Sequence, residues 1–130
     1  MTYVKINDAQ YSASITGRLH DGDWDNRESK AIMVEMSYED ALSLFVDGAK
    51  WSIVQENEEM VEKRDVNGDV VLDENGEVVF ELAIVTEEYD NSDYSIAGDI
   101  TNHRNGYVTI KMGKPTASEV LAILIGGELA

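Results

Sequence analysis

Apolar and polar residues alternate with period two along most of this chain, which predicts strands rather than helices. Thr2, Val4 and Ile6 share one face, opposite Tyr3 and Lys5, until Asn7-Asp8 breaks the run as a turn. Tyr11, Ala13, Ile15, Gly17 and Leu19 then share one face of a longer strand, so the N-terminus reads as a hairpin. A polar loop, 20–29, precedes a strand over 30–36 with Ile32, Val34 and Met36 on one face. Trp51 and Ile53 open another strand over 50–55. The longest strand spans 77–88 and sets Val78, Phe80, Leu82 and Ile84 on one side. A terminal hairpin pairs 94–101 with 107–112, where Val108, Ile110 and Met112 face in and Tyr107, Thr109 and Lys111 face out.

The period changes twice. After Ser37, an expected N-cap with Glu39 and Asp40 in the first turn, Tyr38, Ala41, Leu42 and Phe45 recur at helical spacing; the helix should run to about Asp47 and stop at Gly48. Thr116 and Glu119 have the spacing of a capping box, and Val120, Leu121 and Leu124 form the apolar face of a closing helix expected to end at Gly126-Gly127. Roughly eight strands with short turns, and two short helices, describe an α+β fold that is mostly β. The options are an antiparallel β-roll, a sandwich or a partly open barrel with helices over an edge or an end.

Residues 56–90 change the picture. They hold 13 Asp/Glu against Lys63 and Arg64, a local net charge of −11 out of −16 for the whole chain. The stretch contains a tandem repeat: Asp65-Val-Asn-Gly-Asp-Val-Val-Leu72 is followed at once by Asp73-Glu-Asn-Gly-Glu-Val-Val-Phe80. Asn-Gly is a strong hairpin signal, and a type I′ turn needs positive φ at both positions. The expectation is an acidic β-meander over 59–88, projecting as an arm from a single domain of residues 1–130.

Composition then excludes several classes. The chain has no cysteine, which removes disulfides, thiolate chemistry and cysteine–zinc sites. Met1-Thr-Tyr-Val-Lys-Ile6 lacks the pattern of a signal peptide, and the longest apolar run, Val120 to Ile125, is far below the roughly 20 residues that span a bilayer. The chain is therefore expected to be soluble and made without export. Scattered basic residues on a strongly acidic chain argue against direct contact with nucleic acid or anionic lipid. The strong negative charge favours a basic protein partner, a cation or simple solubility; homo-oligomerisation stays open.

Candidate chemistry is sparse. Asp21, Asp23 and Asp25 begin like an oxygen-rich calcium loop, but the twelfth position is Ile32 rather than a bidentate Glu, so calcium is the only cofactor to consider. The two histidines, His20 and His103, sit in expected polar loops. No nucleophile–base pair, phosphate-binding loop or zinc motif is present, and the chain reads as non-enzymatic. Trp24-Asp25-Asn26 and Tyr89-Asp90-Asn91 repeat an aromatic-Asp-Asn opening. If their loops lie side by side, Trp24, Arg27, Tyr89 and Tyr94 form a recognition surface. Glu77, Glu81, Glu87 and Glu88 are the acids that would face a basic partner.

The frame Val4-Lys-Ile-Asn-Asp8, Ile15-Thr-Gly-Arg18, the run Asp23 to Ile32, Tyr89 to Tyr94, and Gly106-Tyr-Val-Thr-Ile-Lys-Met-Gly-Lys-Pro-Thr116 resembles small uncharacterised proteins encoded in prophages of Gram-positive bacteria, near tail and baseplate genes. The resemblance covers most of the chain outside 56–88 and transfers no catalytic residues. It implies a tail-associated structural or assembly protein, or a co-encoded anti-defence protein, located in the cytoplasm of a bacterial host or in the virion, with virion proteins or a basic host protein as partners. In the second case the acidic arm would mimic nucleic acid and inhibit a host defence nuclease, of the anti-CRISPR or anti-restriction type.

Overall fold

The computed structural model describes residues 1–129. It contains seven strands and two helices: β1 (Thr2–Ile6), β2 (Ala9–Asp21), β3 (Arg27–Glu35), α1 (Tyr38–Leu44), β4 (Trp51–Glu62), β5 (Phe80–Asp90), β6 (Ile96–Asn102), β7 (Tyr107–Gly113) and α2 (Ala117–Leu129). The fold is mostly β. One antiparallel sheet in the order β5-β4-β1-β2-β3-β7-β6 carries it and does not close into a barrel. The chain divides into two compact units, residues 2–54 with 88–130 and Met1 with residues 55–87, and β4 and β5 contribute to both.

In the larger unit, the period-two pattern sets which side chains are buried. Ile15 pairs with Ile32, Ile32 with Ile110, and Ile110 with Ile100, so one cross-strand ladder of isoleucines runs through four strands. Val4, Ile6, Ile32, Val34, Met36, Val108, Ile110 and Met112 are buried on this face, joined by Ala41 and Phe45 around α1. Trp51 stacks edge-on with Phe45 at 6.5 Å and with Tyr94 at 6.3 Å, and its Nε1 donates to the Tyr94 carbonyl at 3.1 Å. The short helix starts as expected: the Ser37 side chain accepts from the Asp40 N–H, and Gly48 follows with φ of 80°.

Several boundaries differ from the sequence expectation. The polar loop over 20–29 is a hairpin between β2 and β3 with only residues 22–26 outside the strands, so His20 is a strand residue. The reason is local: Asp25 and Asn26 both take the left-handed conformation, φ 56° and 57°, and turn the chain within five residues. The closing helix runs through Gly126-Gly127 to Leu129, and Val120, Leu121 and Leu124 are exposed rather than core-facing.

In the smaller unit the tandem repeat folds twice in the same way. Asp65 N donates to Asp69 O and Gly68 N to Asp65 O; Asp73 N donates to Glu77 O and Gly76 N to Asp73 O. The Asp65 carboxylate accepts from the Asn67 and Asp69 N–H groups, and Asp73 does the same for Asn75 and Glu77. Bridges Arg64↔Val70 and Leu72↔Val78 complete the meander. The turns are not type I′. Only the glycines have positive φ, 82° at Gly68 and 77° at Gly76, which marks three-residue loops ending in a left-handed glycine. The type I′ signature instead falls on Asn7-Asp8, φ 50° and 63°, between β1 and β2. The strand expected over 77–88 begins later, at Phe80, because Glu77 closes the second turn.

Candidate functional site

Three places hold the residues singled out in the sequence. The first is the β2–β3 turn. Trp24 is half-buried between exposed Asp23 and Asp25, and its ring lies on two glycines of neighbouring strands. A Cβ at Gly98 would meet the ring at 2.7 Å, and one at Gly113 would meet it at 2.8 Å and the Arg27 Cδ at 2.6 Å. Glycine is required there by the close approach of this loop. Arg27 stacks over Trp24 at 4.5 Å and forks onto Glu119, with Nη1 at 2.7 Å from Oε1 and Nη2 at 3.2 Å from Oε2. Glu119 also accepts from the Thr116 N–H at 2.8 Å, while the Thr116 hydroxyl accepts from Glu119 N–H at 3.2 Å, so the capping box is present and Arg27 ties it to the sheet. The Arg27 pairing, followed by the Thr116 N–H, pushes the Glu119 carboxyl down to about 2.

The same turn uses the acids that resembled a calcium loop. Asp21 is fully buried and accepts from Lys111 Nζ at 3.0 Å, Ser29 Oγ at 2.9 Å and Asp23 N at 3.1 Å. Lys111 foremost, then Ser29, hold its carboxyl below the usual range. Asp25 points instead to Arg27 at 3.6 Å. Among the described residues no group of three or more His, Asp or Glu is arranged so that it could hold a metal ion.

The second place surrounds Tyr94. Its hydroxyl donates to Glu28, which Lys114 also meets at 3.4 Å, and the Tyr94 ring lies 4.5 Å from Lys30 Nζ and 5.0 Å from Lys114 Nζ. Burial, then the Glu28 carboxylate, push the Tyr94 hydroxyl well above the usual phenol range. Arg27 and Tyr94 were expected on a recognition surface; both are only 6% exposed, because each packs its flat group into the interior. Of the four residues placed on that surface, Tyr89 alone is well exposed. His103 meets Thr109 Oγ1 at 2.7 Å.

The third place is the smaller unit. Glu77 and Glu81 there are exposed, as are Glu87 at its end and Glu88 in the larger unit. Glu88 pairs with Lys5 at 3.2 Å. What the sequence reading missed is the apolar companion of these acids: Phe80, Leu82 and Ile84 are 53%, 67% and 68% exposed on successive outward positions of β5, an edge strand. The alternation put these side chains on one face of the strand; that the face stands in solvent was not legible from it.

No family model, curated protein or solved structure matches this chain. Among the described residues no helix is long and apolar enough to cross a membrane.

Proposed function

We propose that this protein acts without catalysis, as a structural or assembly module that holds a protein partner against the outward face of β5. The exposed stripe Phe80, Leu82 and Ile84 carries the reading. Three large apolar side chains in a row, at half to two-thirds exposure, are what a contact surface presents when its partner is absent. The acids of 56–90 fix the partner's chemistry: an apolar strip flanked by Lys and Arg, because a second copy would bring −11 against −11. A tail-associated role of the kind implied by the prophage resemblance accords with this.

The test separates apolar from charge-driven binding. Proteins retained by the immobilised chain are purified, and each is titrated against two variants. Phe80→Ser/Leu82→Ser/Ile84→Ser should weaken a genuine partner at least tenfold. Glu77→Gln/Glu81→Gln/Glu87→Gln/Glu88→Gln should slow association and flatten its salt dependence while leaving dissociation nearly unchanged. The rival reading, carboxylates standing in for phosphates in a basic channel, predicts the reverse: affinity lost with the Gln variant and kept with the Ser variant. Binding unaffected by either variant overturns both readings.

A further inference from the structure

Lys30 ends the core face of β3, and its Nζ is hydrogen-bonded to Oδ1 of Asn91 in the connection between β5 and β6. Asn91 is 4% exposed and held on three sides: its N–H donates to Trp51 O at 2.9 Å, its Nδ2 to Tyr89 O at 3.0 Å, and its carbonyl accepts from Tyr94 N at 3.0 Å. The Tyr94 ring covers the amine at 4.5 Å. Burial holds Lys30 below the ordinary lysine range, against the pull of Asp93 and Glu28. The pairing itself needs an explanation. Lys5, Lys111 and Lys114 all meet carboxylates, whereas Lys30 is hydrogen-bonded to a neutral carboxamide. A desolvated amine is a nucleophile, and the carbon beside it is an acyl electrophile with a leaving group.

We propose that Lys30 and Asn91 become joined by a side-chain amide, a covalent tie between β3 and the β5–β6 connection in a chain that has no cysteine. The neutral Nζ attacks Cγ of Asn91. The Nζ–Cγ bond forms, the Cγ–Nδ2 bond breaks, one proton passes from Nζ to Nδ2, and ammonia leaves. No oxidant or cofactor enters the balance. Asp93 and Glu28 are the carboxylates whose charge acts on Lys30, and in this proposal one of them carries the proton; Tyr94 and Lys114 hold Glu28.

The experiment is the intact mass of the purified, denatured full chain, followed by peptide mapping. The expected result is a mass about 17 Da below that of the sequence, from loss of one ammonia, with a branched peptide linking Lys30 to Asn91. Lys30→Arg and Asn91→Ala should each restore the full mass, a readout that does not depend on whether either variant folds. The unreduced mass in the wild-type chain overturns the proposal. So does a deficit that persists in Lys30→Arg, which would place the ammonia loss in a succinimide at Asn67-Gly68, Asn75-Gly76 or Asn105-Gly106.

Discussion

Strands β3 and β5 carry the same alternating pattern and meet opposite fates. Ile32, Val34 and Met36 are buried at the end of β3 and just beyond it, whereas Phe80, Leu82 and Ile84 on β5 stand in solvent. The difference is the neighbours. β3 lies between β2 and β7 in the sheet, and its inward face joins a cluster that includes Phe45 and Ala41 of the α1 region. β5 is an edge strand, and Phe80, Leu82 and Ile84 lie outside the buried cluster. Alternation therefore says which face of a strand is apolar. It does not say whether the same chain covers that face.

The sharpest break of this comparison is a pair of truncations. Ile32→Ala should cost about 2–5 kcal/mol by denaturant unfolding, because it opens a cavity in the isoleucine ladder. Leu82→Ala should stay within about 0.5 kcal/mol, since it removes no buried contact. A large and concentration-dependent loss for Leu82→Ala would mean that copies of this chain cover the β5 stripe in solution.

A third kind of face lies between these extremes. On the outward side of β6 and β7, Trp24 lies on Gly98 and Gly113, with Arg27 beside Gly113 and Lys111 beside Gly98. Gly113→Ala should cost about 1–3 kcal/mol through overpacking against Trp24 and Arg27. Trp24→Ala alone should cost about 2 kcal/mol, and the double variant less than the sum, because the ring's part of the clash vanishes while the contact with Arg27 stays. Additive losses would show that Gly113 is needed for Arg27 or for strand geometry rather than for the tryptophan.

These three faces also mark how far the sequence could be read. Strand and helix identities were legible wherever period and cap agreed, as at Ser37 and Thr116. The repeat at 65–80 was legible as two turns. Its turn type was not, because Asn-Gly suits both a type I′ turn and a left-handed glycine after a type I turn. Arg27 and Tyr94 were picked for their chemistry but misplaced, since a residue's capacity to bind says nothing of which way its backbone turns it. Gly98 and Gly113 were invisible as sites. Their meaning lies in a tryptophan more than 70 residues away, and no local spacing encodes that contact.

The smallest expected effect concerns how α2 is tied to the sheet, half by a legible device and half by an illegible one. The Thr116/Glu119 box was readable; the Arg27 fork onto Glu119 was not. Arg27 first, and the Thr116 N–H second, push the Glu119 carboxyl down from its ordinary 4.5 to about 2. A carboxyl with a depressed folded value contributes stability above its unfolded value and loses that contribution as pH falls through the folded one. Glu119→Gln should therefore be less stable than the parent chain at pH 7. The gap should close progressively as pH falls from about 4.5 to about 2, where the parent carboxyl is itself protonated. It should stay modest, because the Glu119 side chain is 41% exposed and solvent screens the pair. Thermal unfolding of both chains across this pH range decides the matter. A gap that persists undiminished at pH 2 would mean that Gln fails on geometry, as a poorer partner for the planar guanidinium fork. Arg27 would then hold α2 through shape, as Trp24 holds its two glycines, and not through charge.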